Sequence, residues 1–320
     1  MKRCWGKVVQ HAFLLAGLVL GTSPCFAQGP VERFYEPTEE EAAGDAKDSD
    51  EKENFGPKDG RARGTLMQWS YGTSFSGGPD LDEPLVTDRP DFTEASSTVG
   101  RGVLQMEMGY TYSYANFDGL QVIGHTYPDA LFRLGVLAEW LELRVGQTYV
   151  SSYEKDVLHQ RSIQGVDDLY LGMKIALTPQ EGILPEMAII PQMSVPSGDP
   201  DLTGNEVLPG LNWLYSWDLT ERVSLGGSTQ ANKLPHSIGV DYYVAQSLSL
   251  GFSITEELGS YIEWFCILPN GGAGHLAEHY IDGGFTYLLS NDVQLDFRAG
   301  VGLTDASLDY FLGPGLSVRF

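Results

Sequence analysis

Two sets of charged residues in this chain have types and spacing that could do chemistry. Asp88, Arg89, Asp91 and Glu94 crowd into seven positions. Glu107, Arg133, Glu142, Arg144, Lys174, Asp296, Arg298 and Arg319 are dispersed, but each sits at an alternate position within an otherwise apolar run. Charges gathered on one face of a strand can line a pathway and select what passes. They can equally close a lumen by pairing with one another. The four crowded residues could pair with Arg133, Arg144 or Arg298, acting as a constriction or gate, or as a clasp that fixes where the fold begins. Metal chemistry is not expected. His275 and His279 share a parity near Asp282, but a third ligand is missing and the order His-Leu-Ala-Glu-His is not HExxH. Nucleophilic catalysis is not expected either. His125, His159 and His236 have no G-x-S-x-G motif beside them, and the glycines form no phosphate loop. The expectation is no enzyme and no cofactor.

The elements that carry these charges are strands. Leu104, Met106, Met108, Tyr110, Tyr112 and Tyr114 alternate with Gln105, Glu107, Gly109, Thr111 and Ser113. Leu141, Leu143 and Val145 alternate with Glu142, Arg144 and Gly146, and Val293 to Val301 repeats the pattern. A helix would not sort charges onto one parity. Twelve such runs are read, at 103–114, 127–137, 140–150, 166–177, 186–195, 207–218, 222–231, 239–254, 259–268, 277–289, 292–302 and 308–320. Connections alternate between tight turns and longer stretches, among them 115–126, 151–165 and 196–206. That is the arrangement of an outer-membrane barrel, with both termini on the short-turn, periplasmic side. The last run ends in Phe320 and resembles the closing strand of bacterial outer-membrane barrels, which assembly machinery reads. Its Tyr310, Leu312, Leu316, Val318 and Phe320 would meet lipid, and Arg319 would face the lumen mouth near the Asp88–Glu94 segment. Aromatic residues near strand ends (Tyr112, Tyr114, Tyr149, Trp213, Trp217, Trp264, Phe320) suggest interfacial girdles. Pro128, Pro191, Pro209 and Pro314 should each mark a bulge or a strand end.

Residues 1–27 read as a signal peptide, with Lys2, Arg3 and Lys7 before an apolar stretch and Cys25-Phe26-Ala27 at the cleavage point. Residues 28–84 read as a disordered acidic tail or linker. Between Glu32 and Asp59 there are eleven acidic and four basic residues, too little apolar material to offset chain entropy. Of three cysteines only Cys266 would survive cleavage, which excludes an internal disulfide. A net charge of −23 argues against nucleic acid as a partner.

Thr87-Asp88-Arg89-Pro90-Asp91-Phe92-Thr93-Glu94, followed by Gly102 to Tyr110 (GVLQMEMGY), resembles the opening of the outer-membrane transporter family labelled as meta-pathway phenol-degradation proteins. Leu141–Gly146, Gly165–Lys174, Val195–Asp199 and Ser317–Phe320 are similar as well, so the resemblance covers roughly 85–320. It implies uptake of small, often aromatic, molecules.

The expectation is thus an all-β protein: an antiparallel 12-stranded transmembrane up-and-down β-barrel, residues 85–320, preceded by the acidic segment, in the outer membrane of a Gram-negative-type envelope. Its partners would be membrane lipid, the barrel-assembly machinery and a small-molecule solute, and its role passive diffusion. The rival readings are a non-conducting barrel that works through its long loops, and a lipid-modifying barrel enzyme.

Overall fold

The computed structural model describes residues 83–235, 241–270 and 277–320. The expected signal peptide, nearly all of the acidic tail, His236 and His275 lie outside the described residues. Thirteen strand segments follow in order: β1 (Leu104–Phe117), β2 (Leu120–Gly135), β3 (Leu141–Lys155), β4 (Gln160–Val166), β5 (Leu169–Thr178), β6 (Glu186–Val195), β7 (Leu208–Thr220), β8 (Val223–Lys233), β9 (Tyr242–Ser253), β10 (Leu258–Asn270), β11 (Glu278–Ser290), β12 (Val293–Gly302) and β13 (Tyr310–Arg319). Each pairs antiparallel with its neighbour, and β1 pairs with both β2 and β13, so the sheet closes on itself. One edge of β3 pairs with β4 along 149–155 and with β5 along 141–146. β4 and β5 are therefore two halves of one stave, and the barrel has twelve staves, as the alternation predicts.

The break in that stave is bridged by a loop. The Asp168 carboxylate accepts the N–H groups of Ser197, Gly198 and Gly204 at 2.9–3.1 Å. Asp199 accepts the N–H of Val166 at 2.7 Å. The long β6–β7 connection is thereby pinned over the gap between β4 and β5.

Two expected long connections are mostly strand. The stretch 115–126 contains a tight hairpin at Asp118-Gly119, both with positive φ, a geometry that suits Gly and tolerates Asp. The stretch 151–165 contains the β3–β4 hairpin. Outward positions such as Asn116, Gln121, Ser151 and Lys155 lack the apolar face of a membrane strand. The staves continue here beyond the apolar belt, so backbone pairing persists where the hydrophobic pattern does not.

The two faces divide as parity predicts. Phe285 is 55% exposed, Ile262 54% and Val301 49%, whereas Glu107, Arg133, Glu142 and Lys174 are 0% exposed. An apolar outside and a charged inside around a closed sheet is the arrangement a bilayer demands. On the outer surface Tyr110, Tyr112, Tyr114, Tyr127, Tyr149 and Tyr310 form a chain of ring contacts, with His125 bonded to Tyr110. Pro128 falls at a register shift in β2, and Pro209 is the second residue of β7. Pro314 lies opposite the irregularity at Tyr110 in β1, where the β1–β13 ladder skips two pairs.

Phe297 lies at mid-height on the lipid face, directly across from Phe285. Phe297→Arg is expected to destabilise the barrel by about 2–4 kcal/mol. Urea titration in lipid vesicles, read by heat-modifiable gel mobility, checks this.

Candidate functional site

The lumen is filled by the chain that precedes β1. Leu85 donates its N–H to Asn291 in the β11–β12 turn. The chain then runs inside the barrel and comes back out at the same end. There Val99 donates to Glu142 and Gly102 to the carbonyl of Gly135. Residues 87–96 are all buried.

Asp88 sits at the centre of the deepest contacts. Its carboxylate meets Lys174 at 2.8 Å, Arg133 at 3.3 Å and Arg144, each from a different strand. Its N–H is held by both Glu107 oxygens at 3.0 Å. Arg133 in turn pairs with Glu107 at 2.9 Å and Glu142 at 2.8 Å. Burial alone would raise the Asp88 carboxyl, but Arg133, Arg144 and Lys174 hold it well below the usual range. Glu94 lies 3.4 Å from Arg144, and burial lifts it to about 7 against the pull of that cation.

Arg89 turns to the adjoining wall, pairing with Asp296 of β12 at 3.2 Å and with Asp129 of β2 at 3.8 Å. Its guanidinium lies against Gly109 and Gly315, which are register partners on β1 and β13. A Cβ at either glycine would overlap it. Further along, Asp91 accepts from Ser249 at 2.7 Å, and burial pushes its carboxyl well up. The N–H groups of Phe92 and Thr93 both go to Glu263, and the Thr93 hydroxyl meets Ser247 at 2.6 Å. Ser96 bonds Glu186 at 2.9 Å and Ser216 at 2.7 Å. The segment is thus tied to walls on every side of the barrel.

At its tip the Phe92 ring stacks on Phe265 at 4.4 Å, and Phe265 on Tyr280 at 4.7 Å. Phe311, Ala115, Val122, Leu234, Tyr243 and Leu308 complete an inward apolar cluster toward the long-connection end. Arg298 borders it, 5.3 Å over the Phe311 ring, with its own hydrogen bonds to the Pro90 carbonyl and Thr111.

All twelve charged candidates are buried within the barrel. Arg319 is placed differently from expectation. It pairs with Asp292 at 2.7 Å and donates to the Glu83 carbonyl at 2.8 Å, so it holds the start of the segment and not its charged part. Arg298 meets the segment through a carbonyl oxygen, not through a carboxylate. Glu83, expected in the tail, is already part of the barrel end. His279 contacts Trp264 on the outside, while Asp282 faces in and bonds Tyr261, so the two do not share a site. Among the described residues no group of three His, Cys, Asp or Glu side chains is placed to hold a metal. Sequence reasoning gave no role to Glu263, Asp129 or the Phe92 slot. No local signal marks a ring that packs against β10 from 170 residues away.

A family model described as "Putative MetA-pathway of phenol degradation" matches residues 87–320. The chain belongs to this family. The match begins at Thr87, so it takes in the segment before β1 as well as the barrel. No curated protein matches it. Among solved structures it is similar to the COG4313 outer membrane channel from Pseudomonas putida F1. That match has a TM-score of 0.56 at 13% identity and covers 70% of this chain and 98% of that one. The translocator domain of the autotransporter NalP from Neisseria meningitidis also matches, with a TM-score of 0.49 at 11% identity, covering 69% of this chain and 89% of that one. The fold is that of an outer-membrane barrel.

Gly109→Ala tests the cradle without altering any charge, because the nearest atoms its Cβ would meet all belong to Arg89. It is expected to destabilise the barrel by about 1–3 kcal/mol through overpacking against Arg89. Most of that loss should vanish in an Arg89→Met background, measured as a double-mutant cycle in urea.

Proposed function

We propose that this family member is a passive outer-membrane channel for small molecules, aromatic ones included, and that the 87–94 segment sets what passes. One observation carries the reading. The lumen is filled by a single non-strand segment, tethered at both ends to the same rim. A barrel of twelve staves encloses more space than an eight-stranded one, whose own side chains just fill it, and here a separate segment takes up that space. A tethered segment can shift while the wall stays intact. Its polar and charged contacts can be exchanged for water or solute, one at a time.

The orientation follows from the connections. The short turns, the start of β1 and Phe320 share one rim, which we assign to the periplasm. The acidic tail then hangs there, after export by the signal peptide, and the final strand is offered to the assembly machinery. The site is read as a pathway and not as a catalyst, because His125 and His159 lie outside the lumen, one on the lipid-side ring chain and one in an exposed turn.

The density of buried ion pairs favours one rival, a static clasp that leaves the barrel non-conducting. Glu263→Ala separates the two, because Glu263 anchors the segment tip from the wall. In planar bilayers wild type is expected to show small conductance and Glu263→Ala a several-fold larger one. Liposome swelling with small aromatic and aliphatic acids should follow the same order. Silence from both proteins, in folded and heat-modifiable form, would establish the clasp.

A further inference from the structure

The wall around Asp88 has unequal charge of its own. Arg133, Arg144 and Lys174 extend from β2, β3 and β5, and the wall carboxylates nearest them are Glu107 and Glu142. The balance is completed from outside the wall by the Asp88 carboxylate, and Glu94 adds a second acid of the segment beside Arg144. Asp88 is gripped by all three cations at once. Its side chain is, in chemical terms, a small carboxylate on a tether.

Arg144 has capacity beyond that. Its Nη1 serves Asp88 and Glu142, the latter at 2.9 Å. Its Nε and Nη2, the edge that makes a two-pronged pair with a carboxylate, have no hydrogen-bond acceptor among the described residues, although the side chain is fully buried. The nearest acid, Glu94 Oε2, stands 3.4 Å from Nη2 and makes no hydrogen bond either. Buried donors left unmade are costly, so Glu94 holds this edge by charge alone, and a carboxylate that hydrogen-bonds it would satisfy Arg144 better than Glu94 does.

We propose that Arg133, Arg144 and Lys174 form a binding site for a small monocarboxylate solute, occupied by Asp88 when the segment fills the lumen. A solute carboxylate docks first on the Arg144 edge, displacing Glu94. It then takes over Arg133 and Lys174 as Asp88 withdraws, so exchange never leaves the three cations bare. The role of the site in transit rests on the channel reading above, but binding itself does not.

The test is chemical rescue of the full mature barrel in detergent. Asp88→Ala should lower the midpoint of heat-modifiable unfolding by several degrees. Acetate or benzoate at tens of millimolar should restore half or more of that loss, while chloride at matched ionic strength should not. Adding Lys174→Met should abolish the rescue. If Asp88→Ala yields no folded barrel, Asp88→Asn keeps the side-chain volume and leaves the Arg144 edge as it is. Acetate should raise its midpoint and chloride should not. A folded variant on which carboxylates and chloride act alike overturns the site. A variant rescued by acetate in a barrel that never conducts upholds the site and overturns the channel. A conducting barrel without rescue does the reverse.

Discussion

The grip of three cations on the Asp88 carboxylate is the interaction on which the interior depends. Arg133, Arg144 and Lys174 are wholly buried and come from three neighbouring staves. In a lumen shielded from water such charges are tolerable only when paired. The wall supplies Glu107 and Glu142, and the segment supplies the rest. Once Asp88 is fixed, its N–H is directed at Glu107, Ala95 is drawn back to its Oδ1 at 2.9 Å, and Arg89 is aimed at the adjoining wall of β1, β12 and β13. The path of the segment through the barrel follows from that one placement.

The consequence is a lumen in two layers. Nearer the tethered rim it is a charge network shared between segment and wall. Toward the other end it is an apolar, aromatic cluster into which the segment inserts Phe92. Stacked rings at 4.4 and 4.7 Å make a cohesive layer that excludes water. A solute crossing this interior would meet apolar surface and cation in succession, which suits a small molecule with an apolar body and an anionic group.

Much of this was legible in the sequence, because a closed barrel writes its two environments onto alternate residues. The parity of Glu142 and Arg144 against Leu141, Leu143 and Val145 is enough to sort lumen from lipid. The crowding of Asp88, Arg89, Asp91 and Glu94 before β1 was enough to suggest pairing with Arg133 and Arg144. The partners of Arg89 were not legible. Asp296 and Asp129 are separated from it by fold, not by pattern, and the need for Gly109 and Gly315 appears only when the guanidinium is seen against them. The hairpins at 118–119 and 156–159 were hidden for another reason. Above the bilayer a strand needs only its backbone partner, so its side chains carry no period.

The central claim is that movement of this segment controls passage. Thr93 and Ser247 place their hydroxyl oxygens 2.6 Å apart, so cysteines at the two positions can lock segment to wall. The direct measurement is the single-channel conductance of Thr93→Cys/Ser247→Cys, in a Cys266→Ser background, before and after reduction. The account predicts a silent oxidised barrel whose conductance returns to the wild-type level on reduction. Equal conductance in the two states would contradict it.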